Sequence, residues 1–186
     1  MSLTQQQQFI RNEALGSSIR AAFPPYQKFY RVDATKKEKE LFRSKTRAVL
    51  VELGGLYSVH VSVDSHISNI TTLQRFLNKQ SALKPNSITF GVAQKMLNLY
   101  LKYEWCLGII PETPHCPVDN AVLHEAGVKS KVRWSKMQQE DYSTAISQIE
   151  ENVFPLRANE WELRMFNDKN RAYGVSVEKS GLAFRE

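Results

Sequence analysis

The sequence is short of the residues that mark several large protein classes. It holds 2 cysteines, Cys106 and Cys116, in 186 residues. That is too few for a disulfide framework, and a reducing, cytoplasmic setting is expected. Glycine (8) and proline (7) are scarce, which excludes collagen-like and low-complexity character. No apolar run approaches the roughly 18–20 residues of a membrane span, so no membrane partner is expected. The opening stretch, MSLTQQQQFI, has no basic segment followed by an apolar one, so no export signal is expected. Acids are missing between Asp64 and Glu104, where Arg75, Lys79, Lys84, Lys95 and Lys102 stand.

What is present is a basic chain of ordinary globular composition, with 42% apolar and 24% charged residues. No repeat or Gly/Ser-rich linker divides it, so residues 1–186 read as a single domain with a sizeable core. The net charge is +6 and unevenly placed: residues 11–50 hold ten bases and four acids, residues 51–186 fifteen of each. Lys129, Lys131, Arg133 and Lys136 form a further acid-free cluster. Three basic patches point to a polyanion partner, with a merely solvated basic surface as the alternative. Lys84, Lys129, Lys131 and Arg133 stand in these patches.

The periodicity is mainly helical. Residues 4–22 read as a helix stopped by Phe23-Pro24-Pro25-Tyr26. A second starts near Asp33 or Thr35, with Thr35 and Glu38 as a capping box, and ends at Gly54-Gly55. Tyr57, Val59, Val61 and Val63 alternate as a strand would, and residues 173–177 are a second strand-like stretch that could pair with it. Residues 71–80 read as helix. A long helix is expected over residues 92–107, with Val92, Met96, Tyr100, Tyr103 and Leu107 on one face and Lys95, Asn98 and Lys102 on another. Short helices are expected from Asp119 or Asn120 to Gly127 and over 159–167, and a longer one over 135–153 with Ser135 and Gln138 as its capping box. The fold class is mainly α: a single-domain helical bundle with, at most, one small β-sheet.

One segment carries more than filler: Thr89-Phe90-Gly91-Val92-Ala93-Gln94-Lys95, then a helix, then His115-Cys116-Pro117-Val118-Asp119. A glycine at a helix start lets backbone N–H groups approach a phosphate. Lys95 lies one turn into that helix, and Asp119 stands where a helix start favours an acid. The segment resembles the helix-hairpin-helix DNA glycosylase superfamily, whose hairpin reads Leu-Pro-Gly-Val-Gly-x-Lys and is followed, after a helix, by Pro-Val-Asp. The matches are Gly91, Val92 and Lys95 in the hairpin and Pro117, Val118 and Asp119 after it; Val122 fits the usual continuation. Thr89, Phe90 and Ala93 depart from the pattern, and 24 positions from Lys95 to Asp119 is a long spacing for it.

The resemblance implies a helix-hairpin-helix-like element and base excision without a cofactor. The partner would be double-stranded DNA, its backbone phosphates held by Gly91, Val92 and Ala93 with Lys84, Lys129, Lys131 and Arg133; Lys95 would attack the sugar C1′, and Asp119 would activate the nucleophile and stabilise the sugar cation. A base flipped out of the duplex needs stacking and polar groups. Asn98, Lys102, Trp105 and His115 are the substrate-binding candidates, with Lys102 expected to favour the neutral form of Lys95. Cys106, His115, Cys116 and His124 lack the paired spacing of zinc ligands, so no metal is assigned. The rival readings are a non-enzymatic nucleic-acid-binding or accessory module of a phage or mobile element, and a protein–protein adaptor.

Overall fold

The computed structural model describes residues 3–23 and 28–173, the last five of these by backbone alone. Seven α-helices follow one another within them. They are α1 (Gln5–Ala22), α2 (Lys36–Gly55), α3 (Val63–Asn78), α4 (Phe90–Cys106), α5 (Asn120–Glu125), α6 (Gln139–Val153) and α7 (Ala158–Tyr173). Short 3-10 turns stand at Leu56–Ser58 and Trp134–Lys136. No strand occurs among the described residues; a lone antiparallel bridge joins Tyr30 and Leu83. No described helix is long and apolar enough to cross a membrane.

Local chemistry sets several boundaries. Thr35 and Glu38 form the expected reciprocal capping box at the start of α2, a device worth about 1 kcal/mol. Thr89 caps α4 by accepting from the Val92 N–H, so α4 begins two residues before the expected start. Gly108 and Gly127 follow α4 and α5 with φ of +68° and +70°, the left-handed conformation that suits glycine after a helix. The box expected from Ser135 and Gln138 is shifted: Ser135 lies in the 3-10 turn, and Gln138 pairs with Asp141 to cap α6.

The strand expected over residues 57–63 is absent. Tyr57 sits in the 3-10 turn, Val59 and Val63 are largely exposed, and Ser62 caps α3 by accepting from the Ser65 N–H. The alternation ends where a longer period takes over, because His66, Ile70, Leu73 and Leu77 are buried along one side of α3. That stripe removes far more apolar area from water than two exposed valines could. In the stretch expected to pair with it, Tyr173 ends α7 and residues 174–177 lie outside the described residues.

The core is organised around α4, which packs against α1, α2, α3, α6 and the second 3-10 turn. Burial on so many sides overrides the two-faced pattern expected of it: Gln94, Asn98 and Glu104 are as buried as Met96 and Leu97. Two glycines permit the closest approaches. A Cβ on Gly91 would stand 1.8 Å from the Trp134 carbonyl oxygen, and one on Gly54 would stand 2.8 Å from the Tyr100 ring. Arg11 ties α1 to α4, reaching the Tyr100 hydroxyl at 3.1 Å and Glu104 at 2.9 Å.

Candidate functional site

Lys95 and Asp119 meet. Lys95 Nζ lies 2.6 Å from Asp119 Oδ2, across 24 positions of sequence. Lys95 is fixed in the second turn of α4, and Asp119 is the N-cap of α5, accepting from the Val122 N–H through its other oxygen at 3.0 Å. Burial alone would raise the Asp119 carboxyl. The charge and hydrogen bond of Lys95, with the N–H groups of Val122 and Ala121, outweigh it and hold the group below its ordinary value.

The pair lines a cavity of about 450 Å³, within the roughly 300–1,000 Å³ range of small-molecule sites. Leu99, Tyr103, Val122, Met165 and Phe166 supply apolar walls, and Ala21 of α1 closes one side. A second ion pair stands on the same wall: Lys102 Nζ lies 2.6 Å from Glu162 Oε2, with both side chains about nine-tenths buried. Lys102 also sits over the Phe166 ring, 4.6 Å from its centroid. The cavity therefore carries two cations and two anions, each with a partner.

The remaining sequence candidates fall elsewhere. Asn98 is fully buried and does not reach the cavity. Its amide donates to the Cys116 carbonyl at 3.0 Å and the Tyr142 hydroxyl at 2.9 Å. It stands one position round the helix from the line Lys95, Leu99, Lys102 that faces the cavity. His115 is also internal, with Nδ1 2.9 Å from the Tyr142 hydroxyl. Burial, with the charge of Arg157, pushes its pKa down to about 4. His66 is fully buried beside it, 2.7 Å from the Tyr57 hydroxyl. Burial, with the neighbouring His115, lowers the His66 pKa to about 3. Trp105 is half-buried and packs on the core rather than on the cavity.

The phosphate-binding hairpin expected at Gly91, Val92 and Ala93 is overturned by packing. All three residues are buried and all three N–H groups are committed: Gly91 to the Met137 carbonyl, Val92 to the Thr89 hydroxyl, Ala93 to the Thr89 carbonyl. The 3-10 turn at Trp134 covers the helix start where a phosphate would have to sit. Lys84 is half-buried between α3 and α4, with its backbone N–H bonded to Phe29. Lys129, Lys131 and Arg133 are exposed and line a depression beside α5, on the other side of that helix from the cavity.

Sequence reasoning missed Glu162 and Phe166. Their i, i+4 spacing on α7 was readable, but Lys102 lies 60 positions away and no local pattern links them. Among the described residues, no three His, Cys, Asp or Glu side chains converge as metal ligands. The chain matches no protein-family model, no curated protein and no solved structure.

Proposed function

We propose that this chain is a DNA base-excision enzyme in which Lys95 and Asp119 act on one nucleotide. The observation that carries the reading is the 2.6 Å contact between Lys95 Nζ and Asp119 Oδ2 on the wall of the cavity. The resemblance to the helix-hairpin-helix glycosylases assigns chemistry to these same two residues. Tyr103 and Phe166 are the rings available to stack on a flipped base, replacing Trp105 and His115 in that role.

In this reading the contact serves as the proton path. An ammonium has no lone pair, so Lys95 must first pass a proton to Oδ2. Nζ then bonds to the sugar C1′ as the C1′–N bond breaks; the base leaves with that electron pair and takes up the proton held on Oδ2. Asp119 is thereby returned to a carboxylate, whose charge stabilises the positive charge left on the sugar adduct. If water is the nucleophile instead, Asp119 serves as its base and Lys95 only orients the carboxylate.

The test is mass spectrometry of bases released from damaged, deaminated and hypermodified DNAs. Asp119→Asn keeps an oxygen for the α5 cap and should lose release by at least about 100-fold, the usual scale for a general base. Lys95→Ala reports whether attack by the amine is required. Full release by the folded Asp119→Asn variant would sink the reading. The second reading, a nucleic-acid-binding module without chemistry, is favoured by one observation: every charge in the cavity already has a partner.

A further inference from the structure

With the α4 N-terminus closed to phosphate, a grip on a nucleic acid has to be found elsewhere. Two guanidinium groups are placed to supply it. A Cβ built on Gly16, inside α1, would stand 3.1 Å from Arg20 Nη1 and 3.1 Å from Arg47 Nη2. One cation from α1 and one from α2 therefore share the space above a glycine. Among the described residues, neither they nor Arg43 beside them has an ion-pair partner; Arg20 donates only to the Ser17 hydroxyl. The acid of the groove, Glu40, reaches Lys36 at 3.9 Å instead.

Like charges brought this close repel, and glycine inside a helix costs about 1 kcal/mol relative to alanine. Both are unfavourable to the empty protein, and both make sense for an anion. Two guanidinium forks opening into a groove of about 540 Å³ fit the oxygens of a phosphate. The position of the groove selects the occupant. Arg20 lines it, and Ala21, the next residue of α1, lines the Lys95–Asp119 cavity. Groove and cavity therefore meet α1 at successive residues, and the surrounding residues 11–50 are the most basic part of the chain.

We propose that the α1–α2 groove binds the phosphodiester backbone of DNA, with Arg20 and Arg47 gripping the phosphate next to the nucleotide that enters the cavity. The choice of occupant rests on the base-excision reading; the anion site rests on the arginines themselves. The experiment is fluorescence anisotropy with a labelled double-stranded oligonucleotide over a series of salt concentrations. It compares the wild-type chain, Arg20→Gln/Arg47→Gln, and the single exposed change Arg47→Glu, which repeats the test if the double variant folds poorly.

The double variant should weaken binding about 10-fold or more. It should also flatten the slope of log affinity against log salt by about 0.9, the share of the one phosphate left without its arginines. Unchanged affinity and slope in a folded variant would overturn the proposal. So would a wild-type chain that ignores DNA but binds inorganic pyrophosphate or an acidic peptide. Base release separates the two readings. Groove-dependent DNA binding without any release upholds the groove and removes the chemistry. Release that is indifferent to Arg20 and Arg47, with DNA affinity unchanged, removes the groove and leaves the chemistry.

Discussion

Two basic regions of this molecule treat their charge in opposite ways. On the cavity wall, Lys95 and Lys102 are each held 2.6 Å from a carboxylate. In the α1–α2 groove, the Arg20 and Arg47 guanidiniums converge with no carboxylate among the described residues to meet them. The difference follows from burial. A lysine about nine-tenths buried must be paired, because an isolated charge out of water is costly. Exposed arginines face no such demand, and their charge stays available to something outside the chain. Net charge alone hides this distinction. Both regions add to the same +6, yet of the two only the groove can offer cations to a polyanion without breaking an ion pair.

The largest expected effect comes from breaking a pair on the buried side. Glu162→Ala leaves Lys102 uncompensated, which should cost about 3–5 kcal/mol of folding stability, measured by urea denaturation. Replacing both partners together, Lys102→Met with Glu162→Leu, should recover most of that loss. Arg47→Ala should stay within about 0.5 kcal/mol, as exposed substitutions do. A cost for Arg47→Ala as large as that for Glu162→Ala would erase the contrast between the regions.

A second effect separates them by pH. Behind the cavity wall, His66 and His115 are buried neutral, with pKa values of about 3 and about 4. Both lie below the roughly 6.5 of an unfolded histidine. The unfolded chain therefore takes up protons first as the solution is acidified. Stability from these groups is present above roughly pH 6.5, and falls through the window from there towards 4 and then 3. The slope is at most about 1.4 kcal/mol per pH unit for each histidine. His115→Gln should make this acid loss shallower. Arg47→Ala, made in the groove, should leave the slope as it is. Equal slopes for wild type and His115→Gln would show that the histidine is not the titrating group.

The pattern of what could be read from sequence has the same physical root. Thr35 with Glu38, Asp119 before Val122, and Gly108 and Gly127 after their helices act within three or four residues, so their roles were visible in the string. The pairing of Lys95 with Asp119 spans 24 positions; the glycosylase resemblance named both residues, whereas periodicity alone did not link them. The destinations of Asn98 and His115 were hidden. Both depend on Tyr142, 44 and 27 positions away, and a buried polar side chain declares itself only through its partner. The Gly-Val-x-x-Lys string also misled. It marks a glycine needed for close approach, but what approaches is the Trp134 carbonyl rather than a phosphate. Sequence could show that no side chain was wanted there; it could not show what filled the space.

The smallest expected effect sharpens the comparison most, because stability and binding should move in opposite directions. Gly16→Ala adds a Cβ 3.1 Å from the ends of two flexible arginines, and the three atoms nearest to it all belong to those side chains. Both ends can swing into solvent, since Arg20 and Arg47 are exposed. The helix gains up to about 1 kcal/mol from losing an interior glycine, less whatever the displaced arginines give up. Urea denaturation should therefore report a chain as stable as the wild type or slightly more so. DNA affinity should fall, because the guanidiniums no longer converge. A variant that gains stability and keeps its full affinity would mean that the arginines bind independently of their shared position over Gly16. A variant that loses both would mean that the glycine serves helix packing rather than an anion.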